Sequence, residues 1–242
     1  MLVGNHIVSQ TIRAVKYTIS ESFRVPPDQI ARVFFHGLIL ACIIAAFWVL
    51  DSLKDPILAN TVGIEYQPYA KFWSVATTLV VVCIYDYLTS VVNKQTLFHI
   101  VSGIFGLNVM ILSGLLSNPT VGLSQRHLSP SRYIGWVCYF SVEAYGSLMV
   151  ALFWSFTNSI MDLEQAKGAY GLIISIAQIG AIIGSTLATN AENIGISLLF
   201  MIGAFMIFSV SLLVKIYQLS FRDFIHAPQL ARGSSFAQDT QR

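Results

Sequence analysis

The sequence predicts an all-α, polytopic membrane protein with six transmembrane helices. Three observations lead there. Of its 242 residues, 55% are hydrophobic and only 11% are charged, against roughly 25% charged in a soluble domain. The mean hydropathy is +0.67. The apolar stretches approach the ~20 residues a helix needs to cross the hydrocarbon, far beyond the ~9–11 of a barrel strand. Only helices and closed barrels satisfy their backbone in lipid, so these runs read as helices.

Residues 1–32 lack the unbroken apolar core of a signal peptide. They carry a helical pattern instead. Val8, Ile12, Val15, Ile19 and Phe23 share one face, and Arg13, Lys16, Ser20 and Arg24 share another. A basic amphipathic helix of this kind lies in a membrane interface. An organelle transit peptide, basic and poor in acid, is the competing reading. The turn "VPPDQ" at 25–29 ends the segment because proline removes a donor and restrains its neighbour.

The domain that follows spans 33–218. Its first helix covers about 33–51, and the pattern allows it to run on through "DSLKD" before Pro56. The second covers 72–92, the third 97–117, the fourth 133–159, the fifth 169–189 and the sixth 195–218. The links at 93–96 and 190–194 are tight, so those neighbours form antiparallel hairpins. The tail at 219–242 is polar and reads as disordered. Lengths permit a three-plus-three arrangement of the kind transporters use.

Lysine and arginine set the orientation. One side receives Arg13, Lys16, Arg24, Arg32, Lys94, Lys167, Lys215, Arg222, Arg232 and Arg242, and the other Lys54, Lys71, Arg126 and Arg132. That bias places both termini inside. The net charge of +2 and the lack of a basic run give no nucleic-acid footprint. The cysteines Cys42, Cys83 and Cys138 stand apart in apolar runs and read as small fillers. No metal or cofactor motif is present, nor a P-loop, H-E-x-x-H or G-x-S-x-G, so an enzyme is not expected.

Charges inside the spans carry the functional signal. Glu143 falls well within the fourth helix, and a central charge costs about 2.5–3.5 kcal/mol on insertion scales. It must be paired, protonated or facing a wet cavity; a role in helix packing alone is the bland alternative. Tyr139 lies four residues before Glu143 and Ser147 four after, so the three share a face. Trp154 and Asn158 continue that mixed face. At the end of the first helix stand Asp51, Lys54 and Asp55. If the helix continues through them, Lys54 presents a compact cation suited to phosphate oxygens. If it stops, they are interfacial loop charges. Asp86 and Lys215 read as structural. In the fifth helix, Gly180 and Gly184 form a G-x-x-x-G that lets two helices approach closely.

The block "VEAYGSLMVALFWSFTNSIMDLEQAKGAYGLI" at 142–173 resembles the signature of the nucleotide transporter (ATP/ADP antiporter) family of plastids and intracellular bacteria. Glu143, Gly146, Phe153, Trp154, Asn158, Ala166, Lys167, Tyr170 and Gly171 fit its pattern. "LKDPILANTVGIE" at 53–65 and "IYDYLTSVVNKQTLFHIV" at 84–101 resemble upstream elements of the same family, in the same order. The resemblance implies exchange of ATP against ADP on a major-facilitator-like fold, with Lys54 and Glu143 taking part in nucleotide binding. Tyr139, Tyr145 and Trp154 become candidates for stacking on adenine, with Asn158 beside them. Family members have about twelve spans, two six-helix halves, so the chain resembles the amino-terminal half. A second half, from another copy or another chain, would complete the cavity. Two rival readings are a transporter of a different anionic solute and a non-transporting membrane subunit that packs through Gly180 and Gly184.

Overall fold

The computed structural model describes residues 14–18, 20–23, 25–125, 127–161 and 163–221. Among them, six helices are long and apolar enough to cross a membrane. They are α1 (Ile30–Thr61), α2 (Gln67–Val91), α3 (Lys94–Ser117), α4 (Tyr133–Ile160), α5 (Leu163–Thr189) and α6 (Ile196–Ser220). A short 3-10 helix, Ile64–Tyr66, leads into α2, and a helical turn, Ala191–Ile194, leads into α6. The chain is an all-α, integral multi-pass membrane protein.

Helix α1 is the hub. It packs most heavily on α5 and also lies against α4 and α6. In its most apolar stretch 61% of residues are buried, against 6% in the most apolar stretch of the second span, Ile64–Val91. Only Ala70 and Ser74 of α2 are buried, and α2 rests mainly on α4. Its exposed Phe72, Trp73, Leu79, Val80 and Ile84 suit a lipid-facing surface.

The α1–α5 contact explains the small residues. Gly37, Ala41 and Ala45 recur every four residues on α1, one above another on a single face. A Cβ placed on Gly180 would lie 2.8 Å from the carbonyl carbon and Cα of Ala41, and closer still to its oxygen. A Cβ on Gly184 would lie 3.1 Å from the same atoms of Ala45. The G-x-x-x-G of α5 is therefore spent inside the chain, backbone against backbone.

The helix ends depart from the sequence expectation where polar residues overhang the apolar run. Helix α1 begins at Ile30 rather than 33. It passes through Pro56 to Thr61 rather than stopping at 51 or before the proline. Pro56 is exposed and has no N–H for the Ser52 carbonyl, a loss membrane helices tolerate. Asn60 donates to the Pro56 carbonyl at 2.9 Å and Thr61 to that of Ile57 at 2.6 Å. The helix ends at Thr61, and two residues on the chain turns at Gly63, whose φ of 128° lies where side chains with a Cβ rarely go. Helix α5 starts at Leu163, not 169, because "LEQAK" is made of strong helix formers that hydropathy scores as polar. Helices α2 and α3 likewise begin earlier than expected, at Gln67 and Lys94.

Residues 14–18 and 20–23 are helical. Val8, Ile12, Arg13, Ile19 and Arg24 of the expected amphipathic face lie outside the described residues, as does the tail from 222 onward.

Candidate functional site: a shared ammonium between α1 and α4

Three contacts fix how α4 lies on α1. Gly146 sits against the Phe47 ring and Gly135 against the Thr61 side chain. Between them Lys54 meets Glu143. The order 47, 54, 61 on α1 runs against 146, 143, 135 on α4, so the helices are antiparallel. The two glycines bring the helices close enough for the charged side chains to touch.

Lys54 is 8% exposed. Its Nζ donates to Asp51 Oδ1 and to Glu143 Oε1, both at 2.5 Å. Asp51 is three residues back on the same helix, the spacing that puts two side chains on one face. The ammonium also stands over the Tyr139 ring, 5.2 Å from its centroid, a cation–π distance. An ammonium has three N–H donors, and two are taken by carboxylates. Among the described residues, Asp55 Oδ1 and the Tyr139 hydroxyl are buried with no hydrogen-bond partner. The ammonium is thus shared by two carboxylates within membrane-spanning helices.

The structure divides the six sequence candidates for nucleotide contact into three groups. Lys54, Glu143 and Tyr139 meet in one place. Tyr145 lies in the core: its ring is edge-on to Phe105 at 5.7 Å, and its hydroxyl donates to the Ile43 carbonyl at 3.2 Å. Trp154 and Asn158 lie about 16 and 22 Å further along α4, at 1.5 Å per residue. There Trp154 packs edge-on to Tyr170 at 5.0 Å, and Asn158 accepts a hydrogen bond from the Tyr170 hydroxyl. Of the three aromatic candidates, only Trp154 keeps any exposed surface; Tyr139 and Tyr145 are enclosed. Gly180 and Gly184 pack against α1, away from this cluster.

A model of the TLC ATP/ADP transporter family matches residues 9–221. The chain belongs to that family. It is similar to ADP,ATP carrier protein 4 of Rickettsia conorii, with 24% identity over 186 residues, covering 69% of this chain and 36% of that protein. It is also similar to ADP,ATP carrier protein 1 of Chlamydia trachomatis serovar D, with 25% identity over 201 residues, 70% of this chain and 38% of that protein. The chain therefore spans little more than a third of the length of the curated relatives it matches. No solved structure matches.

Two features of this family member escaped the sequence reading. Asp51 is a direct partner of Lys54, and its signal was the i,i+3 spacing once α1 is allowed to continue. At the other end of α1, Arg32 is buried rather than lying in a flanking loop. It donates to Gln29 at 3.2 Å and to Gln165 of α5 at 3.1 Å. One turn on, His36 shares a 2.7 Å hydrogen bond with Thr157 of α4. Rings of Phe153, Phe156 and Tyr217 surround it. This polar knot joins α1, α4 and α5, and the first two of these helices also carry the Lys54 site.

Proposed function

We propose that this chain takes part in exchange of adenine nucleotides, ATP against ADP, across a membrane, and that it works as a transporter rather than an enzyme. The observation that carries the reading is Lys54, an ammonium held by two carboxylates between membrane-spanning helices. Charges in such positions mark substrate and ion pathways, and an ammonium is a natural phosphate partner. The family membership and the names of the relatives support the same chemistry.

In this reading Lys54 meets the phosphates, and Glu143 and Tyr139 tune that contact. Trp154, Tyr170 and Asn158 offer a second, aromatic station nearer the inner end of α4. A second copy, or another half-transporter, is the partner that would close the cavity. Both termini face the inside, on the strength of ten basic residues against four.

The test is counter-exchange. The purified chain is placed in liposomes with or without internal ADP, and uptake of labelled ATP is measured. The expected result is uptake that depends on internal ADP and falls roughly 10- to 100-fold in Lys54→Ala, the loss of one or two charge-assisted hydrogen bonds. Equal uptake by the variant, or uptake indifferent to internal ADP, would overturn the reading.

A further inference from the structure

Lys54 has more negative charge around it than pairing requires. Asp51 alone would neutralise it. Glu143 is a second carboxylate at the same 2.5 Å. A purely structural ion pair in a membrane is balanced, because each surplus charge costs desolvation. A surplus acceptor on a cation that has a further task is a different device: it fills the cation's donors until a better acceptor arrives.

We propose that Glu143 occupies the place of a substrate phosphate on Lys54 in the empty carrier, so that nucleotide binding and release proceed by exchange of carboxylate for phosphate on one ammonium. This rests on the reading that nucleotide phosphates reach Lys54.

The geometry selects Glu143 over Asp51 as the group that leaves. Asp51 sits three residues from Lys54 on the same helix, so it follows the lysine wherever α1 goes. Glu143 comes from α4, 89 positions away in sequence. Its side chain has one more rotatable bond than aspartate, and at 28% exposure it reaches water about as readily as Asp51 does at 25%. It can swing toward water once a phosphate takes its donor. Release runs in reverse: the carboxylate returns and competes the phosphate away. Tyr139 stays under the ammonium throughout and holds it in place while its partners change.

The exchange makes the sign of a mutation unusual. Glu143→Gln removes the competitor and leaves Lys54 neutralised by Asp51, so the bundle keeps a balanced pair. Affinity for ADP is expected to rise about tenfold, the equivalent of one charge-assisted hydrogen bond no longer displaced. Maximal exchange is expected to fall, because nothing drives the phosphate off. KM and maximal rate then drop together. A residue that merely packs helices leaves the affinity unchanged or weakens it.

The experiment measures equilibrium binding of labelled ADP to the purified full chain, and counter-exchange in liposomes, for wild type, Glu143→Gln and Glu143→Asp. Thermal unfolding in detergent confirms that each is folded. Tighter binding with slower exchange in Glu143→Gln, and intermediate values in Glu143→Asp, support the proposal. Binding that weakens or stays the same in folded Glu143→Gln overturns it and leaves the transport reading intact. A wild-type chain that binds no ADP removes both.

Discussion

Adding one methyl group at Gly180 should separate two helices. The Cβ of Gly180→Ala would fall 2.8 Å from the carbonyl carbon and Cα of Ala41, whereas ordinary van der Waals contact begins at 3.4 Å. The obstacle is backbone, so no rotamer change relieves it, and α5 must slide off α1. Gly184 against Ala45 lies one turn along the same seam, so contact is lost over more than one turn. Overpacking costs typically about 1–3 kcal/mol, and a backbone clash belongs at the upper end. Gly103 and Gly114 of α3 provide an internal control, since a Cβ at either meets nothing within 4 Å. Alanine there is expected to stabilise by about 0.5–1 kcal/mol, the helix preference for alanine over glycine. The assay is thermal or denaturant unfolding of the purified chain in one detergent. The expected order of stability is Gly103→Ala above wild type, and Gly180→Ala well below it. A Gly180→Ala chain as stable as Gly103→Ala would refute the close α1–α5 seam, and with it the role given to the G-x-x-x-G.

Thr157→Val should destabilise by roughly 1–3 kcal/mol, the cost of leaving a buried polar group unpaired, because His36 loses its 2.7 Å partner; unfolding curves against wild type check it. Arg132→Lys should loosen the α3–α4 loop, since the guanidinium donates to the carbonyls of Val121, Gly122, Gln125 and His127 at 2.6–3.3 Å and a lysine has neither the planar fork nor five donors. Faster hydrogen exchange or proteolysis confined to residues 118–132 is the expected readout, and an unchanged loop would count against the four contacts.

The fold was legible because hydropathy reports burial in lipid directly: all six spans are where the apolar runs lie. What hydropathy could not see was polar overhang. It stopped α1 near Asp51, where the charges begin, and so left Lys54 suspended between helix and loop. The seam partners of Gly180 and Gly184 were hidden for another reason. Gly37, Ala41 and Ala45 carry the matching four-residue spacing, but small residues at that spacing are common in membrane helices. Spacing alone does not say which pair meets.

The site was legible in its parts and not in its assembly. An acid and a base in apolar surroundings stand out because each is costly there, but nothing in one sequence pairs residues 54 and 143. Helical phase could have sharpened the aromatic candidates. Tyr139 is four residues from Glu143 and shares its face, whereas Tyr145, two residues away, is turned about 200° around the helix, which is where it enters the core. The decisive missing fact was the fate of Pro56. A proline two residues after Lys54 reads as a helix end, and a helix that ended there would leave the lysine fraying into the interface. Instead the exposed proline is absorbed, the end is moved to Thr61, just short of Gly63, and one and a half further turns hold Lys54 rigid. Only then does its ammonium stand at a fixed height opposite Glu143. A residue remembered as a helix breaker is thus compatible with the site, and the glycine seven residues later sets where the helix stops.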